Sequence, residues 1–580
     1  MAIRDPSGHG GSNRGLEAGA LPGVPFGRFG RMFDQQGEMF DNDCLEQIAN
    51  AMIKDDVSKP IDEDEPVDEN PTIPAGYTYF GQFIDHDITL DPTPLNARSV
   101  DVDALEDFRS PALNLDNIYG RGPDDQPYLY AGDATVFPGG ENYLLALGDP
   151  IPGPRAAGVA ITPFDVLRLG ARGQAGAPVS KRPAILGDKR NDENRLVAQI
   201  QATMIEFHNQ VIKTDSIIGP VPDPLARFRT AVNQVRWHYQ WLVLWDYLDR
   251  RLLKPGVVER VLNKGGTPRL SAYLKLDAKY PYMPVEFAGA AFRMGHSMVR
   301  PGYALNKVVG SDIPPDGTPP DQVEQNFHRI SLFSRGDALP DGTFDPRANL
   351  NGFGLEIPDF WGVDWRFFLD GTGGPALKGV KVPQPSYRLD ANLVLPLQDL
   401  PEFRNAIPRE RNLAFRNLVR GVQNLRLPSG EQVAAALGIS AADQVPADKM
   451  WTAGSKAYDA AANPVADLDA VTAKRQAAAK FCTDKGVALE GNTPLWYYIL
   501  REAEYFGIER QPDDPMLAAG GQHLGAVGSE IVAQTIIGLL WLDDSSFLNA
   551  APYFQPAREL LDGGKPEDFS LGQLVKWTWT

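Results

Sequence analysis

Cysteine and histidine are both scarce in this sequence. The chain has 580 residues but only two cysteines and seven histidines. Because Cys44 and Cys482 can form at most one disulfide, the chain is not a scaffold held together by many disulfides. The same scarcity excludes an all-cysteine zinc site and an iron–sulfur cluster ligated by cysteine.

Positive charge and long apolar runs are also lacking. Acidic residues outnumber basic ones by 75 to 56, and the net charge of −19 argues against a sequence-independent nucleic-acid binder. The most apolar stretch, residues 531–542, is shorter than the roughly 20 residues of a membrane span, so we predict a buried helix there. The first residues contain no apolar segment of the kind found in secretory signals. We therefore expect no membrane span and no signal peptide, and either a cytoplasmic protein or one exported by a non-classical route.

Helical periodicity is present in several parts of the chain, whereas strand-like alternation is scarce. Apolar residues recur at helical spacing in residues 196–212, 228–242, 412–425, 496–506 and 530–542. The 56 glycines and 49 prolines predict long loops between these helices. We expect a mainly α protein with little β structure, in which residues 41–580 form one large domain. Residues 1–40 are predicted to be an extended or flexible arm, and the alanine-rich residues 431–480 a surface insertion.

Common catalytic motifs are missing from the chain. It has no phosphate-binding P-loop, no H-E-x-x-H, no G-x-S-x-G and no dinucleotide-binding glycine motif. Metal or acid–base chemistry must therefore be sought among the histidines. Five of them lie in the arm, in apolar helical patterns or without helpful polar neighbours: His9, His208, His238, His328 and His523. His86 and His296 remain as candidates.

His86 lies in the segment GQFIDHD, residues 81–87. In a helix, Gln82, Asp85 and His86 have the spacing i, i+3 and i+4 and share one face, while Asp87 points elsewhere. Such a face could line a polar pocket or lie exposed to solvent. A hydrolytic metal site is a weaker hypothesis, because no second cluster of aspartate and histidine accompanies the segment.

His296 lies among apolar residues, which is typical of a core histidine or of an axial haem ligand. Three pairs of polar residues share the spacing i, i+3: Arg190 with Glu193, Arg293 with His296, and Asn417 with Arg420. Several helices could therefore each present a short polar face to a common centre. A flat, dianionic macrocycle held in a helical core requires such an arrangement.

Four segments resemble motifs of the animal-type haem peroxidases, the peroxidase–cyclooxygenase superfamily, in a form similar to its bacterial members. They are GQFIDHD (81–87), GDKRNDE (187–193), FRMGHS (292–297) and NLVRG (417–421), and they occur in the order found in the family. The C-terminal residues 521–548 are also similar to bacterial members. The resemblance covers most of the chain beyond the arm, except residues 431–480, and implies a large single-domain helical fold with long loops.

On the distal side, the resemblance implies that His86 is the base that moves a proton between the two oxygens of hydrogen peroxide. Arg190 would stabilise the negative charge that develops on the peroxide, and Gln82 would organise a distal water or anion. An ordinary histidine pKa of about 6.5 predicts that the reaction slows within the range pH 4–8 as His86 takes up a proton.

On the proximal side, the resemblance implies that His296 ligates the iron of haem b. Asn417 would accept a hydrogen bond from the other imidazole nitrogen, which orients the ring and raises its basicity. Arg420 and Arg293 would neutralise the haem propionates or support the proximal side.

Covalent attachment of the haem is also implied by the resemblance. Asp85 and Glu193 match the carboxylates that family members join to haem methyl groups as esters. The position after Glu193 is Asn194, where a sulfonium link would require methionine. Up to two ester links, and no sulfonium link, are therefore expected.

Calcium is the second ligand that the resemblance implies. The expected ligands are Asp87 together with the alternate residues Ser110, Ala112 through its carbonyl, Asn114 and Asp116. Asn114 departs from the usual aspartate, which lowers the charge of the set, although Asp116 adds one. An ordinary turn rich in aspartate and asparagine is the alternative interpretation.

Three functions remain open. The first is a haem peroxidase that reduces hydrogen peroxide through compound I and oxidises phenols, amines, halides or pseudohalides. The second is a fatty-acid dioxygenase of the same superfamily, whose members have a radical-forming tyrosine where this chain has Arg293. The third is a non-enzymatic, haem-containing adhesion or scaffold protein, which would not require all of His86, Arg190 and His296. The peroxidase is the favoured prediction, and the sequence identifies neither its donor nor its oligomeric state.

Overall fold

A computed structural model describes the chain over the following residues: 27–54, 68–131, 143–153, 158–172, 181–276, 280–307, 329–333, 349–375, 377, 382–403, 405–456, 466–507 and 520–580. Most of the predicted arm, residues 1–26, lies outside these ranges, as do His9 and His328. The described end of the arm contains the buried side chains of Phe29, Met32 and Phe33. The division into arm, domain and insertion stays a prediction.

Helices make up most of the regular structure, as the periodicity predicted. They are α1 (Asn42–Ala51), α2 (Gly76–Ile88), α3 (Asp116–Tyr119), α4 (Arg195–Val211), α5 (Asp215–Ile218), α6 (Pro224–Trp241), α7 (Val257–Leu262), α8 (Val285–Gly289), α9 (Pro408–Arg411), α10 (Leu413–Val419), α11 (Gly430–Ala436), α12 (Ala466–Asp484), α13 (Leu495–Phe506), α14 (Ala526–Leu542), α15 (Phe547–Ala550) and α16 (Leu571–Trp579). Two of them continue as π-helical turns: α6 into Leu242–Leu252 and α10 into Arg420–Asn424.

Strands are short in the described part of the chain. They are β1 (Phe29–Gly30), β2 (Glu69–Pro74), β3 (Tyr130–Ala131), β4 (Leu144–Leu145), β5 (Met283–Pro284), β6 (Gly302–Tyr303), β7 (Ile330–Ser331) and β8 (Pro385–Tyr387). They form two-stranded sheets in which β1 pairs with β5 in parallel, while β2–β8, β3–β4 and β6–β7 are antiparallel. The mainly α prediction is confirmed.

Two buried helices organise the core. Helix α4 packs against α2, α6 and α16, and α14 packs against α7, α13 and the turn that contains His296. Helix α14 contains the most apolar stretch of the sequence and is buried over residues 527–540, so the predicted core helix is confirmed. Among the described residues, no helix is long and apolar enough to cross a membrane.

Close packing and one covalent bond fix the helices that surround the site. Gly81 of α2 faces Tyr247, and a Cβ at this position would overlap the tyrosine hydroxyl, so the Tyr247 side chain reaches α2 only because residue 81 lacks a side chain. Helix α1 packs against both α10 and α12. The fully buried Cys44 and Cys482 form a disulfide between α1 and α12, with their Cα atoms 5.1 Å apart.

Candidate active site

The four motif segments line one cavity of about 450 Å³, a size typical of small-molecule and cofactor sites. Helix α2, the 3₁₀ turn Lys189–Asp192, the 3₁₀ turn Ala291–His296 and helix α10 with its π-helical extension each contribute side chains. Nine residues singled out from the sequence line this cavity: Gln82, Asp85, His86, Arg190, Glu193, Arg293, His296, Asn417 and Arg420. Side chains from four distant segments therefore converge on one centre.

His86 is held by a chain of amides. Its Nδ1 lies 2.7 Å from Asn191 Oδ1, and the Asn191 amide nitrogen donates to Gln201 Oε1 at 2.7 Å. Gln201 in turn donates to the Asn117 carbonyl at 3.0 Å. Because Asn191 presents its oxygen to the ring, Nδ1 is the donor and Nε2 of the neutral imidazole keeps its lone pair.

Burial and the positive charge of Arg190 lower the pKa of His86 to about 3. The sequence prediction assumed an ordinary histidine pKa near 6.5, and the structure corrects it. The reason is that the charged imidazole would lose its hydration and lie beside a fixed guanidinium. His86 is therefore a neutral base across the range pH 4–8.

Arg190 is fixed by two acceptors. Its Nη2 donates to Asp188 Oδ2 at 2.7 Å and to the His86 carbonyl at 3.0 Å. Asp188 also accepts from Arg109 Nε at 2.8 Å, and Arg109 donates to the same His86 carbonyl at 3.1 Å. Although burial alone would raise it, the two guanidinium groups hold the pKa of Asp188 well below its usual range. The guanidinium groups of Arg190 and Arg109 are therefore held in fixed positions beside His86.

Gln82 is hydrogen-bonded to two residues that follow Arg190 in the sequence. Its Nε2 donates to Glu193 Oε2 at 3.1 Å, and its Oε1 accepts from the Asn194 amide at 2.9 Å. Asn194 also caps helix α4, since its Oδ1 accepts from the backbone N–H groups of Leu196 and Val197. The Gln82 side chain is thus fixed by residues at the start of α4.

The carboxyl groups of Asp85 and Glu193 both line the cavity. Burial raises the pKa of Asp85, whose Oδ1 accepts from the Thr89 hydroxyl at 3.1 Å. Burial, followed by the charge of Glu402, raises the pKa of Glu193. Both groups therefore favour the neutral acid form more strongly than ordinary carboxyls do.

His296 and Asn417 are in contact, but not in the predicted sense. The Asn417 amide nitrogen lies 3.0 Å from His296 Nδ1, while Asn417 Oδ1 accepts from Arg293 Nη1 at 2.9 Å. Arg293 is itself fixed by donation from Nε to the Ala288 carbonyl at 2.8 Å. Because Arg293 occupies the amide oxygen, Asn417 is a donor to His296 here rather than the acceptor that the resemblance implied. Burial and Arg293 lower the pKa of His296 to about 3, so its imidazole is neutral.

Arg420 lines the cavity from the π-helical turn after α10. It forms an ion pair with Asp91 and donates to the Thr93 carbonyl at 3.3 Å. Arg416, one turn earlier, places its guanidinium 3.4 Å from the Phe403 ring centroid. Two cations therefore lie on one side of the cavity.

The predicted calcium ligands lie together at the end of α2. Asp87 Oδ2 accepts from the Leu115 backbone at 3.2 Å, which joins α2 to the loop of residues 110–116. Within that loop, the Asn114 amide donates to Ser110 Oγ at 2.8 Å, and Ser110 Oγ lies 3.5 Å from Asp116 Oδ2. The loop carbonyl of Ala112 accepts from the Asn114 backbone at 2.9 Å.

Charge at this loop is only partly balanced by protein groups. Arg109 Nη1 lies 2.9 Å from Asp116 Oδ1, whereas Asp87 Oδ1 is buried and accepts no hydrogen bond. Burial and the nearby charge of Asp116 raise the pKa of Asp87. In the described part of the chain, no group of three or more His, Cys, Asp or Glu side chains could hold a metal ion. A cation here would therefore depend on hydroxyl, amide and carbonyl oxygens besides the two carboxylates.

Comparison with known proteins agrees with this architecture. No protein-family model matches the chain. A stretch of 250 residues, 41% of the chain, is 26% identical to the human protein named probable oxidoreductase PXDNL, of which it spans 15%. Peroxidase A from Dictyostelium discoideum superposes with a TM-score of 0.53 at 14% identity, covering 100% of this chain and 98% of that one. A fatty acid alpha-dioxygenase from Oryza sativa gives a TM-score of 0.43 at 12% identity, covering 94% of this chain and 79% of that one.

The chain thus shares its helical fold with Peroxidase A from Dictyostelium discoideum.

Several residues of the site were not singled out from the sequence. Asn191 and Asp188 lie within the arginine motif, so their proximity to Arg190 was the available signal. Arg109 adjoins the predicted calcium loop, but its contacts with Asp188 depend on the fold. Glu402 lines the cavity from a short 3₁₀ turn and had no signal in the sequence.

Proposed function

We propose that this protein is a haem-dependent peroxidase that reduces hydrogen peroxide and oxidises small donors such as phenols, amines, halides or pseudohalides. One observation carries the proposal: a neutral histidine with a fixed tautomer, His86, and a buried neutral histidine, His296, line the same cavity as Arg190. Residues 41–580 would form the catalytic domain, with 1–40 as an arm and 431–480 as an insertion.

The cavity residues fit a haem b. The buried His296 would ligate the iron through Nε2, which requires a neutral imidazole with its proton on Nδ1, so the Asn417 amide would present its oxygen to Nδ1 once the haem is bound. Arg293 and Arg420 line the cavity and would neutralise the two propionates, and the lining includes apolar side chains such as Phe292 and Leu413 that suit a macrocycle. When bound, the haem supplies an iron that binds peroxide and accepts its oxidising equivalents.

The protein side chains would then transfer the proton and stabilise the developing negative charge. His86 Nε2 would take a proton from one oxygen of hydrogen peroxide and return it to the other, which departs as water. Asn191 keeps Nδ1 protonated so that Nε2 remains the base. Arg190, held by Asp188, stabilises the negative charge that develops as the O–O bond breaks. Gln82, fixed by Glu193 and Asn194, would orient a distal water or anion.

Asp85 and Glu193 are the proposed sites of ester links to the haem. Both carboxyls line the cavity and have a raised pKa, which favours the neutral acid over the carboxylate. We expect part of the haem to resist extraction by acidified solvent and to remain on peptides that contain these residues, as detected by mass spectrometry. Haem that extracts completely would refute the ester links without affecting the peroxidase function.

A calcium ion is the second proposed ligand. It would bind Asp87, Ser110, the Ala112 carbonyl, Asn114 and Asp116, where Asp87 Oδ1 is buried without a hydrogen bond. Because Asp87 directly follows His86, such an ion would fix the end of α2 that carries the base.

The alternatives differ at named positions. A dioxygenase of this superfamily would need a tyrosine at residue 293, whereas the arginine there is bonded to Ala288 and Asn417. A haem-binding scaffold would have no need for the Asn191–His86 and Asp188–Arg190 contacts.

An absorption spectrum of the haem-loaded protein, followed by titration with peroxide and a donor panel, tests the proposal. The panel contains bromide, thiocyanate, a phenol and linoleic acid. We expect peroxide to be consumed in proportion to oxidation of the phenol or of a halide or pseudohalide. Oxygen uptake with linoleic acid would instead support the dioxygenase. Bound haem without peroxide turnover would support the scaffold.

A further inference from the structure

A buried tryptophan lies beside His296. The ring centroids of Trp496 and His296 are 6.5 Å apart with an edge-to-face angle of 77°, and Trp496 Nε1 donates to the Arg293 carbonyl at 3.2 Å. Trp496 lies in α13 and is 2% exposed. Proton transfer at His86 makes no use of this indole.

Further aromatic residues lie between Trp496 and the surface. Tyr497, the next residue in α13, is fully buried and stacks on Trp451 with ring centroids 4.6 Å apart and an interplanar angle of 20°. Trp451 is half-buried, so part of its indole is accessible to solvent. Three oxidisable side chains, two of them on consecutive residues of α13, therefore lie between the histidine in the cavity and the protein surface.

The Tyr497 hydroxyl is hydrogen-bonded to a group that cannot accept its proton. It donates to the Met450 carbonyl at 3.3 Å, and a backbone carbonyl cannot take up the phenol proton. Burial also raises the pKa of Tyr497. Tyr497 therefore keeps its proton.

We propose that Trp451 is a second oxidation site, at which phenol groups on macromolecules too large for the cavity each give up one electron. The electron passes through Tyr497 and Trp496 to the His296 side of the cavity. This inference rests on the proposed peroxidase function, which supplies hydrogen peroxide as the oxidant. Reduction of one peroxide to two waters takes two electrons and two protons, so two phenol groups each lose one electron and one proton to become phenoxyl radicals.

The test compares one phenol in two forms, free and coupled to dextran, with the haem-loaded protein and peroxide. Trp451→Phe should lower kcat/KM for the dextran-linked phenol by about tenfold or more and leave that for the free phenol unchanged. Trp541→Phe is the matched control, because Trp541 is also partly exposed, at 38%, and has no stacked ring leading to the cavity among the described residues. This control should oxidise both forms at the normal rate.

A second measurement needs no variant and does not depend on turnover. Peroxide is added without a donor but with a nitrone spin trap, and the peptides are mapped by mass spectrometry. An adduct on the peptide containing Trp451 is expected, and adducts only elsewhere would overturn the proposal. The proposal would also be overturned if Trp451→Phe left kcat/KM for the dextran-linked phenol unchanged. The same holds if the unmodified protein did not oxidise the dextran-linked phenol. Failure to consume peroxide with any donor of the panel would instead refute the peroxidase function itself.

Discussion

Replacing His86 with alanine should slow the reaction of the haem-loaded protein with hydrogen peroxide by about 10²–10⁴-fold, the usual contribution of a general acid–base group. Nε2 of His86 is the proposed base at the cavity, and the variant leaves His296 and Arg190 in place. The rate is measured by stopped-flow absorption after mixing with peroxide, and haem content is measured from the spectrum before mixing. Haem content should stay unchanged.

Asn191→Ala provides a graded comparison for His86→Ala. It removes the acceptor that holds Nδ1 but leaves the imidazole itself, so the loss of rate should be smaller than with alanine at residue 86. An unchanged rate in His86→Ala would show that another group moves the proton. An equal loss in both variants would show that the fixed tautomer, rather than the presence of a base, limits the reaction.

The pH profile adds a check that depends on the depressed pKa. A neutral imidazole accepts a proton and a charged one does not, so the rate should be flat from pH 8 to about pH 4 and fall only as the pH approaches the His86 pKa of about 3. Rapid pH jumps keep the fold intact during the measurement. A fall centred near pH 6.5 would contradict the buried environment of His86.

Helical periodicity and motif spacing were sufficient to predict which faces meet at the cavity. Gln82, Asp85 and His86 share a face of α2 because residues separated by three or four positions are neighbours on any helix. The apolar stretch of α14 is buried because most of its side chains are apolar and they lie on every face of the helix. Such features depend on local geometry and can therefore be predicted from the sequence.

Contacts between distant residues could not be predicted in the same way. The direction of the Asn417 hydrogen bond depends on Arg293, which is separated from it by 124 positions, and no local pattern reports which amide atom a guanidinium will occupy. The disulfide between Cys44 and Cys482 spans 438 positions. Likewise, the low pKa of His86 reflects burial and the charge of Arg190, which exist only in the folded chain.

Removing calcium should destabilise the protein measurably. An ion that binds only the folded state stabilises it by RT ln(1 + [L]/Kd), which is about 4 kcal/mol when the ligand exceeds Kd by 1,000-fold. Without the ion, Asp87 is buried and lies near the charge of Asp116, and both effects disfavour its carboxylate and raise its pKa. Thermal unfolding followed in chelator and in millimolar calcium should therefore show a clearly lower midpoint in chelator.

The variant Asp87→Asn separates an ion site from an ordinary turn by the sign of its effect. Asparagine has no charge to repel Asp116, so in chelator the variant should unfold at a higher temperature than the unmodified protein, and calcium should no longer raise its midpoint. Asp125→Asn, at a partly exposed position away from the loop, should keep the full response to calcium. If Asp87→Asn is destabilised equally in chelator and in calcium, the carboxylate serves only its hydrogen bond to Leu115, and the loop of residues 110–116 is a turn without an ion.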